Sequence, residues 1–147
     1  ATGSLGMTSG QMFDMDAEKS MDLAALDRMH TQKTGALLRA ALRIGAIVGE
    51  ATKEQFEVLT FFGERLGLAF QIIDDVLDVT GTSEATGKTV QKDESQGKVT
   101  YPKLLGSEES KARAEKLLQE GKESLRVFGE KADVLLGLSD YVLTRNR

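Results

Sequence analysis

Apolar residues recur along this chain every three to four positions, the period of helices packed on one side, and no segment alternates with the period of two that a strand requires. The pattern is helical throughout. A helix tail is predicted over Gly6 to Asp16, and Ala17 to Asp22 reads as a connection with Asp22 as the next N-cap. Leu23 to Val48 predicts a long helix with two faces: Arg28, Gln32, Arg39 and Arg43 are expected to meet water, and Leu26, His30, Lys33, Leu37, Ile44 and Ile47 the core. Lys33 falls on the apolar side. Either its stem snorkels outward or it faces an internal anion, and Gly35, just after Lys33-Thr34, would let the helix kink there and free a carbonyl. His30 has no His or Cys companions and reads as a packed side chain.

Gly49 ends that helix, and Thr52-Lys53-Glu54-Gln55 is a capping box that opens the third. Gly63 and Gly67 predict a close approach by a neighbouring helix or a ligand. Beyond them comes Phe70-Gln71-Ile72-Ile73-Asp74-Asp75-Val76-Leu77-Asp78, in which Gln71, Asp74, Asp75 and Asp78 share one stripe while Ile72, Ile73, Val76, Leu77 and Val79 cover the rest. That division predicts a helix buried nearly all round with its carboxylates turned inward. Ionised carboxylates gathered away from water require cations, and magnesium suits them because it takes one or two carboxylates and fills its shell with water and phosphate oxygens. The polar stretch from Thr80 to Lys98 is too long for a plain connector, and Lys88, Lys92 and Lys98 are placed to close over a bound polyanion. Thr100-Tyr101-Pro102 starts a short helix, with Pro102 tolerated in the first turn. Ser107 is expected to cap the next helix, which runs to about Phe128 with Leu117, Leu118, Leu125 and Phe128 inward, and the last spans roughly Ala132 to Thr144. Its terminal Arg145 and Arg147 complement the helix dipole unless the tail folds back over the site.

Composition narrows the function without naming it. One proline in 147 residues points to an all-α protein, expected as one domain over residues 1–147. A net charge of −4 gives no global attraction to nucleic acid or to an anionic membrane, so any polyanion must be held locally. The absence of cysteine excludes disulfides and zinc-thiolate sites and fits a reducing cytoplasm. No apolar run reaches the roughly eighteen residues that span a bilayer, so the chain is not expected to be membrane-embedded. The start, Ala1-Thr2-Gly3-Ser4, suggests trimming or the later part of a longer polypeptide. Gly81 to Thr89 imitates a P-loop, but five positions separate its glycines where four are needed, and no strand precedes it.

Taken together, Gly10-Gln11-x-x-Asp14, Lys33-Thr34-Gly35, Phe70-Gln71-x-x-Asp74-Asp75-x-x-Asp78, Gly87-Lys88 and Lys98-Val-Thr-Tyr101-Pro102 resemble the trans-polyprenyl diphosphate synthases, most closely the bacterial-type farnesyl or geranylgeranyl kind. The likeness runs over essentially the whole chain and covers the later half of that family. It implies an antiparallel helical bundle of the isoprenoid synthase type, a homodimer, and condensation of an allylic diphosphate with isopentenyl diphosphate assisted by Mg2+. By that likeness Asp74 would ligate magnesium directly, with Asp75 and Asp78 acting through water. Lys33, Lys88 and Arg147 would contact diphosphate, and Gln71 with the Thr34 carbonyl would face the nascent carbocation beside Lys33. A non-catalytic partner subunit and a class I terpene synthase are the alternatives, and the 147-residue chain alone is expected to be inactive.

Overall fold

The computed structural model describes residues 1–16, 21–80 and 98–145, and every regular element among them is helical. In chain order they are α1 (Met7–Asp16), α2 (Leu23–His30), α3 (Ala36–Val48), α4 (Lys53–Thr80), α5 (Tyr101–Leu105), α6 (Ser107–Ser124) and α7 (Asp133–Thr144). A π-helical turn, Thr31–Gly35, joins α2 to α3 without interruption, and a 3₁₀ segment, Leu125–Ala132, joins α6 to α7. The all-α expectation holds.

Helix α4 is the axis. Its 28 residues run for about 42 Å between α3 on one side and α6 on the other. Phe62, Leu66, Ala69, Ile72 and Ile73 from α4 join Leu26, Met29, Tyr101, Leu118, Leu125 and Val142 in one buried core. Each large side chain so buried stabilises the fold by about 1.5–3 kcal/mol, which is what fixes the direction of α4.

Local signals set the helix starts. The Ala25 amide donates to Asp22 Oδ1 at 2.7 Å, and the capping box closes reciprocally: Thr52 N–H to Gln55 Oε1 at 3.0 Å, Gln55 N–H to Thr52 Oγ1 at 3.2 Å. Ser107, by contrast, does not cap α6. Gly106 occupies the N-cap with φ of 84°, a left-handed backbone that only glycine adopts without strain, and Ser107 is the first helical residue. The α6 helix also stops at Ser124, short of Phe128, and its 3₁₀ continuation breaks at Gly129.

Two faces differ from expectation. Leu37, Ile44 and Ile47 are 41%, 62% and 67% exposed; Arg43 is exposed as expected, whereas Arg39, also expected to meet water, is half-buried against α4. The Arg39 guanidinium pairs with Glu64 at 2.9 Å and that of Arg43 sits 4.8 Å over the Phe56 ring, so these long side chains find partners on α4 that periodicity could not foresee. Likewise α4 is not buried all round, since Val79 is exposed at its end.

Candidate functional site

The site is built where the π turn is held between α1 and α4. A Cβ added to Gly10 would fall 2.3 Å from the Lys33 nitrogen, and one added to Gly67 would fall 2.7 Å from the Gly35 Cα. No side chain fits at either contact, so backbone meets backbone on both sides of Lys33-Thr34. The kink expected at Gly35 is thus realised as a π turn.

From that turn Lys33 reaches α1. Its ammonium donates to Asp14 Oδ2 at 2.8 Å, and the Lys98 ammonium donates to the same oxygen at 3.1 Å. Two cations therefore share one carboxylate, and both lysines are partly exposed. Burial pushes the Asp14 carboxyl up, but hydrogen bonds from Lys33 and Lys98, with their charges, outweigh it and hold the group below the usual carboxylate value. The next residue, Thr34, donates its hydroxyl to Gln71 Oε1 and so ties the turn to α4 one helical turn before the acidic run.

The acidic stripe is divided. Asp74 is largely exposed and lies 3.2 Å from the Arg145 guanidinium, which also donates to the Phe70 carbonyl at 3.1 Å and covers the Phe70 ring at 3.8 Å. Arg145, just past α7, thus reaches back to α4, beyond what the dipole argument required. Asp75 is 6% exposed on the opposite edge, where its Oδ2 accepts the Tyr101 amide at 3.0 Å and stands 4.0 Å from His30 Nε2. Asp78, half-buried, lines an open cleft of about 360 Å³ with Lys98 and Lys103. Of the three aspartates expected to face inward, only Asp75 is buried. Lys88, Lys92 and Arg147 lie outside the described residues.

His30 is packed, as expected, with its ring stacked on Tyr101 at 5.6 Å. Burial, then the Lys33 charge, push its pKa down to about 4 against the opposing pull of Asp14, so the imidazole is neutral at pH 7. Tyr101 donates its hydroxyl to Asp27 at 2.7 Å, and Arg113 bonds the other Asp27 oxygen at 2.6 Å. Burial first, then Asp27, raise the phenol well above its ordinary value. Asp27 and Arg113 were not singled out by sequence reasoning, which named Tyr101 only within a helix start and the Lys98–Pro102 stretch. The available signal was Tyr101 before Pro102 at a helix start whose Thr100 makes no side-chain cap.

Among the described residues no three acidic or histidine side chains gather closely enough to cage a metal. The donors present suit an ion that keeps much of its water: Asp74 and Asp78 stand one turn apart on the accessible edge of α4. No described helix is long and apolar enough to cross a membrane.

Comparison with known proteins follows the same lines. The profile of the family described as Polyprenyl synthetase matches residues 1–132. The chain is 48% identical over 147 residues to a dimethylallyltranstransferase of Fischerella ambigua, covering 99% of this chain and 42% of that protein. It is 43% identical over 152 residues to the farnesyl diphosphate synthase of Escherichia coli, covering 100% of this chain and 51% of the relative. Among solved structures, a geranyltransferase from Helicobacter pylori complexed with magnesium and isoprenyl diphosphate superposes with a TM-score of 0.77 at 30% identity, over 96% of this chain and 48% of that one. The chain spans about half the length of the curated relatives it matches, or somewhat less.

Proposed function

Because the chain belongs to the polyprenyl synthetase family, we propose that its site serves a prenyltransferase that condenses an allylic diphosphate with isopentenyl diphosphate. The observation that carries this reading is the pair of ammonium groups, Lys33 and Lys98, preset on Asp14 beside the Thr34–Gln71 contact and the acidic end of α4. All three relatives above are named for prenyl transfer or prenyl diphosphate synthesis, which supports this reading over a regulatory subunit or a terpene synthase.

Each group has a task in that reaction. Ionisation of the allylic substrate leaves negative charge on the departing diphosphate, and a lysine already held in place stabilises that charge more than it stabilises the ground state. Lys33 does this from the π turn, with Lys88 and Arg147 as further diphosphate contacts. Gln71 and the Thr34 carbonyl present oxygens toward the carbon that becomes cationic, and the hydroxyl of Thr34, which donates to Gln71 Oε1, holds that amide in place. Ile72, Ile73 and Val76 back this edge of α4 with an apolar core that keeps water from the cation. Magnesium, when bound, supplies the remaining charge neutralisation of the diphosphate. Asp74 would hold it directly and Asp78 through water, and the Helicobacter pylori relative carries magnesium with its isoprenyl diphosphate.

Product analysis of the full-length polypeptide with labelled isopentenyl diphosphate and allylic primers, with and without magnesium, tests the reading. Magnesium-dependent chain elongation is expected. Absence of condensation with every allylic primer discards it.

A further inference from the structure

We infer that Asp75, although it stands in the acidic run, is a positioning residue: it fastens the start of α5 to α4, and through that attachment places Lys98 on Asp14 beside Lys33. The inference rests on the prenyltransferase reading only for its kinetic readout.

Tyr101 provides the first amide of α5, and Thr100 caps it with no side-chain hydrogen bond. An amide at a helix start that is buried away from water needs an acceptor from elsewhere. Asp75 Oδ2 is that acceptor, at 3.0 Å, from a residue 26 positions earlier. The rest of Tyr101 is tied just as firmly, with its ring on His30 and its hydroxyl on Asp27. Val99 and Thr100 are both 8% exposed, so the chain between Lys98 and α5 has little freedom. Three residues before Tyr101, Lys98 then extends to Asp14 on α1. The attachment at Asp75 is therefore the point from which Lys98 is aimed.

A metal role suits Asp75 less well than it suits its neighbour. Asp75 is 6% exposed, engaged with the Tyr101 amide and flanked by a neutral imidazole, whereas Asp74, one residue earlier, is on the accessible edge. Adjacent aspartates on one helix are thus split between two tasks by the 100° that separates consecutive side chains.

The test uses the full-length polypeptide. Asp75→Ala is expected to speed hydrogen exchange of the Tyr101 amide about tenfold or more, and to lower kcat by a comparable factor. The magnesium concentration for half-maximal activity should stay at its wild-type value. Asp75→Asn, whose side-chain oxygen still accepts that amide, is expected to restore the protection and most of kcat. A raised magnesium requirement in Asp75→Asn, or wild-type exchange of the Tyr101 amide in Asp75→Ala, overturns the inference. Where Asp75→Ala does not fold, a protected Tyr101 amide and an unaltered magnesium requirement in Asp75→Asn support it, and a raised requirement again overturns it. Wild-type protein that condenses no prenyl substrate would remove the proposed reaction, and the exchange measurement alone would then decide the role of Asp75.

Discussion

Asp14, half-buried, and Asp75, buried, both stand at helix crossings, yet they hold different neighbours. Asp14 holds two ammonium groups on one oxygen. Asp75 Oδ2 accepts a backbone amide and stands beside an imidazole that burial keeps neutral at pH 7. The residue type is the same and the neighbours differ: one carboxylate gathers two lysine ammonium groups, the other accepts the first amide of α5. An acidic residue in a motif is therefore not assigned by its letter.

The contrast can be broken most directly at Lys33. Lys33→Ala removes the cation closest to the π turn and is expected to lower kcat in the full-length polypeptide by roughly 10²–10³, the usual cost of losing a preset charge at a developing anion. Circular dichroism should show the helical fold intact, and a wild-type rate would detach the Asp14 cluster from the chemistry.

Acid separates the two regions next. His30 has a folded pKa of about 4, below its unfolded value of 6.5, so the unfolded chain takes up the proton first. Stability is full above pH 6.5 and falls as pH drops toward 4, by about 3 kcal/mol in all. Asp14, whose folded pKa lies below its ordinary 3.8, loses its stabilising contribution only at still lower pH. Urea unfolding at pH 7 and pH 4.5 should show the first loss, and His30→Gln should flatten it. An unchanged slope in that variant would show that the imidazole is not the group titrating.

A smaller effect is expected from Asp14→Asn, which keeps a hydrogen-bond acceptor but loses the charge that gathers two lysines. Steady-state kinetics should show kcat about tenfold lower, since charge-assisted bonds are roughly twice as strong as neutral ones. Smallest is Thr52→Ala, distant from both carboxylates, which should cost about 1 kcal/mol of stability with no change in kcat. A kinetic effect there would mean that the opening of α4 is coupled to the site.

Much of the fold was legible because its causes are local. The capping box at Thr52 and Gln55, the cap at Asp22 and the helix start before Pro102 depend on residues within a few positions of one another. The close approach at Gly63 and Gly67 was also legible, because glycine in a helix interior needs a packing reason. What periodicity could not supply was the identity of the neighbour. The Lys98–Asp14 bond spans 84 positions and the Arg113–Asp27 bond 86, and no local pattern encodes either. The same limit explains α3, where an apolar stripe was equated with the core although Leu37, Ile44 and Ile47 are exposed and Arg39 pairs with Glu64 on α4. For the acidic stripe, spacing placed the three carboxylates on one side of α4 but could not tell that the sector has an inner and an outer rim.

The meeting of Gly35 with Gly67 acts as a mechanical stop. With 2.7 Å between one Cα and the place where the other residue's Cβ would stand, a single methyl at position 67 must pry α3 and α4 apart. The first bond to open would be the one four residues along, from Thr34 to Gln71. Sliding offers no escape, because a shift by one residue moves about 1.5 Å along the axis and turns the side chains by about 100°. Two hydrogen atoms on two Cα carbons thus calibrate the distance at which the Thr34 hydroxyl meets the Gln71 amide oxygen.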